Sequence, residues 1–172
     1  MGQVIPLAVT PHDYPATAAA LDAAERVLLV AIRWWVAAFR RADDPLPQLC
    51  ADMAAAGVDD AALSVDGLMS VLARTARRTI DIHCPRCPGL SEDEQRLLQV
   101  ASLAQAGDVE RAERVLRAAL LTAQGAELAL VPIEGLGHVF AMAGLFFRRR
   151  RPPQDRCDIE SWAPPASAEL RH

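Results

Sequence analysis

The residues with the greatest chemical capacity lie in one short run, Ile82-His83-Cys84-Pro85-Arg86-Cys87-Pro88. Two thiols separated by two residues can meet at one metal ion, and the adjoining imidazole of His83 adds a third ligand, which makes half of a tetrahedral zinc site. The same spacing suits a disulfide that opens and closes, and Arg86 between the thiols favours the thiolate form. A third reading carries no chemistry: two cysteines partly buried in a loop stiffened by Pro85 and Pro88. A complete zinc site needs further ligands, and only Cys50, Cys157, His12, His138 and His172 remain, each isolated in the sequence. His83, Cys84 and Cys87 are therefore the candidate metal ligands and zinc the candidate cofactor, with no cofactor as the alternative. A thioredoxin-like enzyme would set the motif in a βαβ pattern, and none is readable here.

Other constellations are thinner. Glu134 and His138 stand four apart, on one face with Glu127. They fit an acid/base couple or two metal ligands, but di-metal bundles repeat a Glu-x-x-His spacing on more than one helix. An ordinary polar pair on the solvent side accounts for them with less. The serines include none in a Gly-x-Ser-x-Gly elbow. Every basic residue other than histidine is Arg, and the sequence contains neither Lys nor Asn. That removes the phosphate-binding GxxxxGK[ST] loop, the lysine Schiff base and the Cys-His-Asn protease. It also matches the codon usage of a GC-rich, bacterial genome. No catalytic residue is assigned, and the expectation is a protein that is not an enzyme.

Charge names no partner. Eighteen basic residues against 22 acidic ones leave a net charge of −4, too mild for a general nucleic-acid binder. Arginines cluster at Arg40-Arg41, at Arg74, Arg77 and Arg78, and from Arg148 to Arg151. Such runs can grip phosphate. Each also falls at the expected C-terminus of a helix, where cations offset the negative end of the helix dipole. The second explanation is preferred, and nucleic acid is not an expected partner. Residues 1–15 lack the basic and apolar runs of a signal peptide, and no apolar window is free enough of charge to span a bilayer, so the expected location is cytoplasmic.

The elements that must position these residues read as helices. Residues 1–16 look like an extended arm with Val4, Ile5, Leu7 and Val9 available to lie across the domain. Residues 17–147 read as a single helical domain and 148–172 as an Arg/Pro-rich flexible tail. Leu21, Ala24, Leu28, Ala31, Trp35 and Phe39 recur at helical steps, with Asp22, Arg26, Arg33 and Arg40 on the opposite stripe together with Leu29 and Val36. A shorter helix passes through Leu49 and Met53 to Gly57, and a third runs from Val65 to Thr79 with its arginines exposed. Ser91 and Glu94 form a capping box at the head of a fourth helix. That helix stops at Gly107, and Asp108 caps a fifth that ends at Gly125. A last segment, interrupted by Pro132, reaches Phe147. No strand pattern competes, so the expected fold class is all-α, a bundle of five or six helices.

Leu90 to Ala106 resembles the opening helix of LuxR-type DNA-binding domains. Asp108 to Gln124, however, reads as one unbroken helix where that family has a short helix, a turn and a recognition helix. Leu97 to Ala123 resembles a single tetratricopeptide hairpin, with Ala112 and Ala119 at small-residue positions. No second copy follows, which excludes an array.

The function expected from the sequence is that of a small, non-enzymatic helical adaptor or regulatory protein that binds another protein or a second copy of itself. The alternative is a metal- or thiol-responsive DNA-binding regulator using the Cys84/Cys87 loop and the Arg clusters. Adjacent Trp34 and Trp35 point about 100° apart on the first helix, so one core cannot readily bury both. Ile159 and Trp162 form a small apolar patch in the tail. These four residues are the expected partner contacts.

Overall fold

A computed structural model describes residues 13–151. The described residues form the expected all-α fold. After a 3-10 turn at Ala18–Ala20 come α1 (Ala23–Arg40), α2 (Leu46–Ala55), α3 (Ala61–Thr75) and α4 (Glu92–Gln105). They are followed by α5 (Val109–Ala119), α6 (Ala123–Leu128) and α7 (Leu130–Met142). Among the described residues β-type pairing is confined to isolated bridge positions, Ala76 with Leu121 and one at Arg150.

Local signals set the helix starts. Asp22 and Glu25 form a capping box at the head of α1, and Ser91 and Glu94 form the expected one on α4. Asp108 accepts from the backbone N–H of Arg111, as the sequence implied, and Thr122 caps α6 through Gly125. Pro132 falls in the first turn of α7, where a missing N–H leaves no helical bond unmade, so it interrupts nothing.

Three boundaries differ from expectation. The third helix ends at Thr75, and the chain beyond it pairs with the turn between α5 and α6 through Arg77 N to Leu120 O and Thr122 N to Thr75 O. Gly125 does not end the fifth helix. It lies buried in α6, where any Cβ would collide with the Thr75 side chain. The last segment divides into α6 and α7, and the non-helical stretch from Leu145 to Arg151 then turns back along α4, with Leu145 O and Phe147 N bonded to Gln105 and Arg148 O to Ser102.

The core is continuous. Leu28, Ile32 and Trp35 of α1 share one cluster with Val65, Leu68 and Leu72 of α3, Leu97 and Ala101 of α4, and Ile133, Leu136 and Phe140 of α7. α7 packs on α3 and α4, and its approach to α4 is close at Gly137, where an added Cβ would lie 2.7 Å from Gln105 N. Phe147, past the end of α7, folds back so that its ring lies tilted against that of Phe140, with centroids 5.0 Å apart.

Candidate functional site

The loop between α3 and α4 carries the cysteines, and its shape is dictated from beneath by one cation. Arg33, expected on the solvent stripe of α1, is only 2% exposed. A buried guanidinium needs partners for all its N–H groups. Its Nε and one terminal nitrogen bind both carboxylate oxygens of Glu94, at 2.7 and 2.9 Å. The terminal nitrogens also donate to the backbone carbonyls of Cys87 and Gly89, each at 2.6 Å. Glu94, itself fully buried, accepts in addition from the backbone N–H groups of Ser91 and His83. The residue that caps α4 is thus also the counter-ion of α1 and an anchor for the loop.

A second carboxylate fixes the approach to that loop. Asp93 accepts two bonds from Arg78, at 2.6 and 2.7 Å, one from Arg96, and one from the backbone N–H of Asp81. Burial pushes its carboxyl up, but the hydrogen bonds and positive charges of these neighbours outweigh it and hold Asp93 below the ordinary carboxylate range.

On this frame Cys84 and Cys87 are joined as a disulfide with their Cα atoms 5.3 Å apart. Cys84 is exposed and Cys87 half-buried. The imidazole of His83 turns to the carbonyl of Gly89, its Nδ1 at 3.2 Å. Among the described residues no three His, Cys, Asp or Glu side chains are grouped as a metal ion requires, so His83, Cys84 and Cys87 are not arranged as a zinc centre here. Cys50 is exposed and free on α2, and Cys157 lies outside the described residues.

The other side of α1 carries a groove of about 570 Å³, shared with the α1–α2 turn and α2. Trp34 and Trp35 divide as their spacing implied. Trp35 is buried, donates its indole N–H to Asp66 at 2.7 Å and stacks on Phe39, whereas Trp34 is 41% exposed at the groove. Pro45 and Pro47 face the groove, and Asp43, Asp44 and Asp52 line it beside Arg41, which is paired with Asp43 at 2.8 Å. Ile159 and Trp162 lie outside the described residues, as do the arm residues Val4, Ile5, Leu7 and Val9.

The Arg148–Arg151 run does not complement a helix dipole, since it lies past the end of α7 at Met142. It is drawn into ion pairs with the start of the chain's helical part. Arg148 meets Asp22 at 2.7 Å, Arg151 meets Asp13 at 3.6 Å, and Arg150 binds both oxygens of buried Glu25, at 2.5 and 2.6 Å. Arg150 also donates to the carbonyl of Asp13 and lies over the ring of Tyr14, whose hydroxyl is pushed up by burial and by the negative charge of Glu25. The helical body therefore extends past Phe147 into residues expected to be tail. Arg40 and Arg74 do sit in the last turns of α1 and α3, as expected.

Glu134 and His138 are exposed on α7, with Glu127 exposed on α6, the solvent-facing arrangement the sequence favoured. No described helix is long and apolar enough to cross a membrane. Comparison of the chain with protein families, curated proteins and solved structures found no match.

Proposed function

We propose that this protein is a non-enzymatic helical adaptor or regulatory protein that binds a segment of another protein in the groove between α1 and α2. The observation that carries this reading is the exposed Trp34 beside Pro45 and Pro47, with more carboxylates than cations around it. Aromatic side chains in a concave apolar setting are where binding energy concentrates. With Arg41 already paired to Asp43, Asp44 and Asp52 leave the groove negative, so the complementary occupant carries an apolar anchor flanked by basic residues.

The thiol-responsive alternative draws support from the Cys84–Cys87 disulfide. Its DNA-binding half draws none from Arg78, Arg148, Arg150 and Arg151, whose guanidiniums are already engaged by carboxylates. The adaptor reading is tested with an array of short labelled peptides bearing an aliphatic or aromatic anchor between basic or acidic flanks, followed by the fluorescence anisotropy of the label. Basic-flanked peptides should bind, and Trp34→Ala should weaken them by about tenfold or more while Leu63→Ala, on an exposed site of α3, leaves them unchanged. Equal binding of acidic-flanked peptides, or a stable dimer that shields Trp34 from a quencher in their absence, would overturn it.

A further inference from the structure

We infer that Cys84 and Cys87 form a thiol–disulfide exchange site, in which Cys84 is the sulfur attacked by an incoming dithiol and Cys87 is the leaving thiol. The inference is independent of the adaptor reading.

The first argument is that the disulfide is not what holds its own loop. Cys87 and Gly89 are tied through their carbonyls to Arg33, His83 through its N–H to Glu94, and Pro88 through its carbonyl to Ala18 N at 2.7 Å. Cys87 N also bonds Cys84 O across the turn at 3.0 Å. The bond joins residues three apart in one loop, so it adds no link between helices. Opening it leaves every one of these anchors in place, and the two sulfurs stay on Cα positions at bridging distance. A cross-link that contributes so little to architecture, yet whose closed geometry is maintained by a buried ion pair, suits a bond that is made and broken.

The second argument is asymmetry. Cys84 is exposed, and Cys87 is half-buried, with its backbone carbonyl held by Arg33. Access therefore selects Cys84 for attack, which makes the less accessible Cys87 the leaving thiol. In the exchange, a thiolate of the dithiol bonds to Cys84 Sγ and the Cys84–Cys87 bond breaks. Its electron pair goes to Cys87 Sγ, which takes a proton from solvent. The second thiol of the dithiol, on losing its proton, then attacks its own partner sulfur in the mixed disulfide and expels Cys84 as thiolate, which is protonated in turn. The dithiol loses two electrons and two protons and becomes a disulfide, and the cysteine pair gains them. The reverse sequence reoxidises the pair against a disulfide.

The test uses the full chain with Cys50→Ser and Cys157→Ser, so that only the pair remains. It is equilibrated in buffers of reduced and oxidised dithiothreitol, and thiols are counted by alkylation and mass. The expected result is a reversible transition between zero and two thiols per chain, with the circular dichroism spectrum unchanged. With Cys87→Ser added, oxidised glutathione should form a mixed disulfide at Cys84 about tenfold faster or more than it does at Cys87 in the Cys84→Ser counterpart. Thiols released only on unfolding, helix loss on reduction, equal rates in the two single-cysteine proteins, or stoichiometric zinc held by the reduced pair would each overturn the inference.

Discussion

α1 takes part in two buried, bidentate Arg–Glu pairs, and they differ in what surrounds them. At Arg33–Glu94 the cation belongs to α1, and its remaining donors reach the carbonyls of Cys87 and Gly89. At Glu25–Arg150 the anion belongs to α1, and the cation arrives on the segment after α7, with Asp22, Asp13 and Tyr14 around it. The first pair joins the helical body to a loop that carries chemistry. The second latches one end of the described chain onto the other. The lesson is that the same ion pair sets a loop's shape where its spare hydrogen bonds go to backbone, and closes a fold where they go to the chain's distant parts.

The largest break in this comparison is expected at Arg33. Arg33→Met leaves Glu94 charged and buried without its counter-ion, which should lower stability in urea denaturation by about 3–5 kcal/mol. Adding Glu94→Gln removes the orphan charge while keeping a side chain able to close the capping box, and part of the loss should return. A loss under about 1 kcal/mol for Arg33→Met would mean the clamp does not hold the loop. Arg150→Met should cost less, about 1–3 kcal/mol, because Arg150 lies on the segment after α7, which can draw aside and let water reach Glu25, whereas Arg33 lies within α1 and also holds two loop carbonyls. Equal losses at the two sites would erase the distinction drawn between them.

The smallest effect separates the corners by pH. Tyr14 has its hydroxyl pushed above the ordinary value of 10.0, so the folded protein disfavours its ionisation. A group raised on folding contributes stability that is complete below its unfolded value and declines as pH rises past it. Stability should therefore fall above about pH 10, and Tyr14→Phe should flatten that decline. The sequence has a single Tyr and no Lys to blur the reading, and the Arg33 corner lies outside its reach. An unchanged alkaline slope in Tyr14→Phe would remove Tyr14 from the latch.

Much of the helical layout was legible because it is local. The Ser91–Glu94 box, the Asp108 cap and the apolar stripe of α1 announce themselves within a few residues. The frame of the candidate site was not legible, because its two halves are 61 residues apart and each had an adequate local explanation. Glu94 already served as a cap, and Arg33 already fell on a stripe with other charges. The available signal was that Arg33 stands between Ile32 and Trp34 on a helix apolar nearly all round, where a charge needs an internal partner. Arg148 to Arg151 misled in the same way: a dipole argument sufficed for the run, while Asp13, Asp22 and Glu25 lay at the far end of the sequence. Thr79 and Gly125 read as helix ends from periodicity and residue type alone. The competing interaction, pairing of the chain after α3 with the α5–α6 turn, is tertiary.

The latch also imposes an order on biosynthesis. Glu25 and Arg150 are separated by 125 residues, which a ribosome takes roughly 6 to 25 s to add. During that interval α1 can begin to pack on α2 and α3, but the carboxylate destined for burial has no cation to meet and stays hydrated. The corner closes only when the segment after α7 emerges, so until then Tyr14 and Glu25 remain open to water.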